Sequence, residues 1–128
     1  MGPYVGKNAI VFGGSSGIGL ATAQLLGSRG ARVVIAAPEP PTEAGKQSAI
    51  WIQCDVRNVN DVSDAVVKAS DPEGLHWLVY SAGIQRYGSV VETTIDEYDL
   101  VQAVNARGAF LAAKRGRPSA NHEVTLSC

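Results

Sequence analysis

The segment Gly13-Gly-Ser-Ser-Gly17-Ile-Gly19 constrains this chain more than any other. It lies between a short apolar run, Asn8-Ala-Ile-Val-Phe12, and a stretch whose apolar residues Ile18, Ala21, Leu25 and Leu26 recur at helical spacing. A strand, a glycine-rich turn and a helix in that order put the first backbone N–H groups of the helix beside a turn with little side-chain bulk. An anion such as a pyrophosphate needs such donors at close range, together with the positive end of a helix dipole. Larger side chains at the glycines would hold the backbone away from the anion or forbid the turn. Ser15 and Ser16 add hydroxyl groups. The bland alternative, a merely flexible loop, is disfavoured by the strand before the run and the helix after it.

The rest of the chain alternates in the same way. Gly30 closes the first helix, where a positive φ is wanted. Residues 32–36 read as a second buried strand. Pro38, Pro40 and Pro41 then break regularity, which leaves a loop with at most a short helical turn. Residues 49–54 read as a third strand. Val59, Val62, Val66 and Ala69 mark a helix capped by Asn58 or Asn60. Asp71-Pro-Glu-Gly74 is a turn, and residues 75–80 form a fourth strand. Thr94-Ile-Asp-Glu97 has capping-box spacing and opens a long helix running to about Lys114. Strand–helix alternation implies right-handed crossovers. The expected fold is therefore α/β, a Rossmann-like doubly wound parallel sheet of order 3-2-1-4. The tail His122–Ser127 alternates weakly and is a candidate fifth strand. By this reading residues 1–115 are the nucleotide-binding domain and 116–128 an atypical tail.

Composition excludes several function classes. Hydrophobic residues make up 45% of the 128, charged residues 18%, and the net charge is -1. No basic stripe exists to meet nucleic acid phosphates. The apolar runs are far shorter than a bilayer span, and no secretory signal opens the sequence. Cys54 and Cys128 do not form a disulfide framework, so a reducing cytoplasm is the expected compartment. His76 and His122 are the only histidines, and no Cys/His cluster has metal spacing. Trp51 and Cys54 read as core residues, and His76 as a satisfied or exposed strand residue.

With these residues in view, the glycine pattern resembles the TGxxxGxG motif of the short-chain dehydrogenase/reductase family. Three further matches follow in the family's order across residues 5–114. Asp55-Val56 looks like the pair that contacts the adenine ring. Ser81-Ala82-Gly83 resembles the NAG motif lining the cofactor cleft. Asn105 matches the family's active-site asparagine within a helix. The resemblance implies NAD or NADP held by Gly13, Ser15, Ser16, Gly17, Ile18, Gly19, Asp55, Val56, Ser81, Ala82 and Gly83, with Asn105 in the catalytic site. Each match keeps a plainer reading: Asp55 as the cap of a turn, Asn105 as an exposed helical residue.

Some residues depart from the family pattern. Phe12 stands where the family has a threonine that ties the glycine loop to the fourth strand. Ser81 replaces the asparagine of NAG. At the end of the second strand, Ala37 and Pro38 carry no charge, and Glu39 reaches the ribose diol only if the loop turns back. The lean is therefore slightly to NAD. Family catalysis uses a serine and a YxxxK pair, in which the lysine lowers the tyrosine pKa. No tyrosine here is followed four residues later by lysine. Ser127 or Cys128 only faintly resembles the serine strand. The expected function is an NAD(P)-binding, truncated family member. The alternatives are an oxidoreductase completed by another chain or by atypical groups, and a non-catalytic interaction module. An uncovered fourth strand, and a long helix carrying Ile95, Tyr98, Val101, Val104 and Phe110, imply a homo-oligomer, a dimer foremost.

Overall fold

Five consecutive buried residues, Asn8–Phe12, put β1 at the centre of the sheet. The computed structural model describes residues 2–116. Strand β2 is Arg32–Ala37, β3 is Ile50–Gln53 and β4 is Trp77–Tyr80. All pair in parallel in the order β3-β2-β1-β4, as expected from the alternation of patterns. The outer strands are shorter than the sequence pattern implied. His76 nevertheless stays tied to β1: its N–H donates to the Asn8 carbonyl (2.9 Å), and its Nδ1 accepts from the Asn8 N–H (3.0 Å).

Side chains alternate across the sheet and build two cores. Ile10, Phe12, Val34, Ala36, Leu78 and Tyr80 face α3 (Val59–Ser70) and the helix that ends the described region. Ala9, Val11, Val33 and Ile35 face α1 (Gly17–Ser28), where Ala23 is fully buried and Leu20 and Leu26 are partly so. Ile18 and Leu25, prominent in the apolar periodicity, are instead 81% and 51% exposed. The buried residues of α1, Gly19 and Ala23, are small, and Leu20 and Leu26 flank them. Trp51 is half-buried against this second core, and its Nε1 donates to the Ala37 carbonyl (3.1 Å).

The proline-rich loop does hold a short helix, α2 (Glu43–Ser48), capped by the Thr42 hydroxyl. Asn58 caps α3, and Thr94 and Glu97 form the expected capping box on α4 (Ile95–Gln102). The long helix is not uniform. A π-helical turn, Ala103–Arg107, separates α4 from α5 (Gly108–Arg115). The candidate fifth strand, His122–Ser127, and Cys128 lie outside the described residues. Among the described residues no helix is long and apolar enough to cross a membrane, and no cluster of His, Cys, Asp and Glu could hold a metal ion.

Candidate functional site

Ligands of open α/β sheets bind beyond the C-terminal ends of the strands, where the order reverses. Here β1 is flanked by β2 and β4, and a cleft of about 730 Å³ opens above all three ends. Its lining includes Gly13, Ser15, Ser16, Gly17, Ile18, Asp55, Val56, Ser81, Ala82 and Gly83. Of the residues singled out for the cofactor, only Gly19 is not part of this lining.

Gly19 instead works from beneath. A side chain there would overlap the Gly13 carbonyl. Gly13 has φ +76, and an added Cβ would lie 2.5 Å from the Ala82 nitrogen. The glycine loop can therefore lie directly against the segment after β4. Gly17 has φ +56 with open space where a side chain would go, so the backbone at the start of α1 is bare toward the cleft. The helix termini differ in one respect. Thr42, Asn58 and Thr94 accept from the first turns of α2, α3 and α4, whereas the Ser16 side chain makes no capping bond to α1. Nor does the first turn of α1 carry an acidic residue. Its N–H donors and the positive end of its dipole stay available to an anion.

Phe12 leaves the loop better anchored than its side chain implied. The Phe12 carbonyl accepts from the Ser81 N–H (2.8 Å), and the Gly13 N–H donates to the Ala36 carbonyl (2.9 Å). The backbone thus supplies the tie to β4, while the Phe12 ring is buried against Tyr80, with centroids 5.9 Å apart. The Ser15 hydroxyl donates to the Glu39 carbonyl, which turns the loop after β2 back over the cleft.

On the β3 side, Arg57 was not singled out by the sequence reading. Its Nη2 meets Asp55 Oδ2 at 2.7 Å, its Nε meets Oδ1 at 3.0 Å, and its backbone N–H donates to Oδ1 at 2.9 Å. These bonds hold the Asp55 carboxyl below the usual aspartate range, although partial burial acts in the opposite direction. The Asp55 backbone N–H donates to Asp61 of α3 (3.0 Å), fixing the turn. Cys54 beneath it is buried, and burial, with the charges of Asp61 and Asp55, pushes its thiol up to about 12. It is an inert core thiol at neutral pH.

Asn105 is not part of the cleft lining. Its Oδ1 accepts from the Ile84 N–H (2.8 Å) and its Nδ2 donates to the Ile84 carbonyl (2.9 Å). The same π-helical turn sends Arg107 Nη1 to the Arg57 carbonyl (2.8 Å) and presents the Val104 carbonyl to the Tyr80 hydroxyl. It therefore braces both walls of the cleft. No periodicity marks a π turn, since it is a slip of hydrogen-bond register within an unbroken helical pattern.

The family model for short chain dehydrogenases matches residues 7–122. Short-chain dehydrogenase reductase 3a of Arabidopsis thaliana is 36% identical over 81% of this chain and 44% of its own length. Versicolorin reductase stcU of Emericella nidulans is 39% identical over 85% of this chain and 45% of its own. Among solved structures, a short chain dehydrogenase from Burkholderia cenocepacia in complex with NADP superposes with a TM-score of 0.80 at 33% identity. That superposition covers 95% of this chain and 55% of the other. The chain thus spans about half the length of the relatives it matches.

Proposed function

Because the chain belongs to the short-chain dehydrogenase/reductase family, we propose that its cleft takes an extended nicotinamide dinucleotide for hydride exchange with a carbonyl or alcohol group. The observation that carries this reading is the uncapped N-terminus of α1 behind the bare backbone of Gly17. In it, Gly13–Gly19 cradles the pyrophosphate and Asp55-Val56 borders the adenine. Ser81–Gly83 borders the second ribose. Asn105 serves the reaction by position, holding Ile84 rather than touching the reacting atoms.

The fit of cofactor to residues favours NAD slightly. Ala37 and Pro38 offer a 2′-phosphate no cation, and the Ser15 hydroxyl on the Glu39 backbone carbonyl keeps this acidic residue in the cleft lining. Titration with NADH and NADPH, followed by fluorescence and melting temperature, tests the reading. Micromolar to millimolar affinity, roughly 4–8 kcal/mol, is expected, with NADH the tighter. No binding of either would overturn it.

The 128 residues contain no Tyr-x-x-x-Lys pair to protonate an alkoxide. On their own they should bind cofactor without robust carbonyl reduction. Turnover at ordinary enzyme rates by this polypeptide, contamination excluded, would refute that. A second reading, an oxidoreductase whose site another chain completes, is favoured by the exposed face of α4 and α5, where Ile95, Tyr98 and Phe110 are 76%, 58% and 62% open. It expects a homodimer in solution. Light scattering that gives a monomer at high concentration would remove it.

A further inference from the structure

Tyr80 is the last residue of β4, and the residues that follow it line the cleft. Its side chain is almost wholly buried, yet its hydroxyl is satisfied by one partner, the carbonyl of Val104. That carbonyl is available because of the π turn. The Gly108 N–H, which in an α-helix would bond to Val104, reaches back to Ala103 instead. Gly108 also makes room, for a side chain there would overlap the Tyr80 hydroxyl. Three features from two segments, β4 and the helix around the π turn, thus converge on one hydrogen bond.

The next residue after Val104 is Asn105, whose amide grips both backbone groups of Ile84. Residues 81–89 have no regular structure, so Ile84 has no strand partner to hold it. We propose that the Tyr80 hydroxyl is a positioning device for the β4 wall of the cleft. It locks the π turn at Val104, and Asn105 passes that position to Ile84 and the segment Ser81–Gly83. The inference rests on the dinucleotide reading for its consequence, since this wall is the one assigned to the second ribose. The adenine wall shares Arg107 of the same π turn, which donates to the Arg57 carbonyl, but it also has a tie of its own, the Asp55 N–H on Asp61 of α3. Tyr80 should therefore matter more for the half of the cofactor at this wall than for the adenine half.

The test uses Tyr80→Phe, Asn105→Ala, the double variant, and Val62→Ala as a core control that does not line the cleft. Two quantities are read: amide exchange at Ile84, and affinity for NADH against ADP, which lacks the second ribose and the nicotinamide. Tyr80→Phe should speed Ile84 exchange and weaken NADH about fivefold, the size of one net hydrogen bond, with ADP weakened clearly less. The double variant should be no weaker than Asn105→Ala, because the two residues act in series. Val62→Ala should lower the melting temperature and leave the NADH-to-ADP ratio alone. Equal losses for NADH and ADP, additive effects, or Ile84 exchange no faster than in the control would overturn the proposal. If the parent chain binds neither nucleotide, the dinucleotide reading falls, while Ile84 exchange in Tyr80→Phe still decides whether Tyr80 holds this wall. Should Tyr80→Phe fail to fold, Gly108→Ala displaces the same hydroxyl and must give the same selective losses.

Discussion

The two sides of the cleft are built by opposite means. At the start of α1 the geometry is made of backbone, with Gly13, Gly17 and Gly19 allowing positive φ or close approach and no side chain capping the helix. Across the cleft the wall after β4 is irregular, and side-chain bonds to the helix hold it: Tyr80 on Val104 and Asn105 on Ile84. Arg107 extends the same turn to the opposite loop at Arg57. A backbone-made site is fixed by residue type at each position. A side-chain-made site depends on where distant elements come to rest. The first should break completely at a single glycine, and the second should loosen by degrees.

The largest expected effect is therefore at the glycine loop. Gly19→Val would drive methyl groups into the Gly13 carbonyl and displace the loop from the start of α1. NADH affinity should fall by at least about 100-fold, some 2.7 kcal/mol, with circular dichroism still reporting the folded sheet. Affinity close to that of the parent would mean the pyrophosphate does not sit at this loop, and the contrast between the two walls would lose its first half.

Adjacent residues of α5 sharpen the comparison on the other side. Leu111 is 7% exposed and belongs to the larger core, while Phe110 beside it is 62% exposed. Leu111→Ala should cost about 2–4 kcal/mol in denaturant unfolding, whereas Phe110→Ala should cost below about 0.5 kcal/mol in the monomer. Phe110→Ala should, however, weaken self-association if that face meets a second copy. A large loss from Phe110→Ala at dilutions where no dimer forms would show that the face is already covered.

These contrasts track what could be read from the sequence. The sheet order, the glycine loop, the Asn58 cap and the Thr94 capping box follow from periodicity and local turn chemistry, and the structure has them. The helix at Glu43–Ser48 was harder, because three prolines nearby argue for a loop. Pro40 and Pro41 precede its Thr42 cap, so they do not interrupt it. Arg57 two residues after Asp55 was a visible signal, an opposite charge within reach, that motif matching passed over. The partners of Asn105 and Tyr80 left no such mark. Their bonds span 21 and 24 residues and require a π turn that hydrophobic spacing does not encode.

Beneath the cleft wall at Asp55, Cys54 offers a graded test at alkaline pH. Burial raises its thiol from 9.0 to about 12, so the folded chain keeps a proton that the unfolded chain releases. A raised folded-state value leaves stability intact below pH 9 and removes it as pH climbs toward 12. The loss from this group should approach about 1.4 kcal/mol per pH unit. Tyr80 adds a similar slope from its ordinary value of 10.0 upward. Cys54→Ala should flatten unfolding free energies measured between pH 9 and 10. An unchanged slope would place the thiol in contact with solvent.

The smallest effect belongs to the exposed ion pair of the same wall. Asp55 is held below its ordinary value of 3.8 chiefly by the Arg57 side chain. A depressed carboxyl contributes stability above that ordinary value and loses it as pH falls through the lower folded-state value. Both side chains are substantially open to water, at 41% for Asp55 and 50% for Arg57, so screening leaves little of the Coulomb attraction. Arg57→Gln should thus lower the melting temperature slightly at pH 7 and low salt. The difference should fade as pH drops below 3.8 toward the lower folded-state value, and shrink in molar salt. A difference that survives both conditions would locate the value of the Arg57 side chain in its packing, not in its charge.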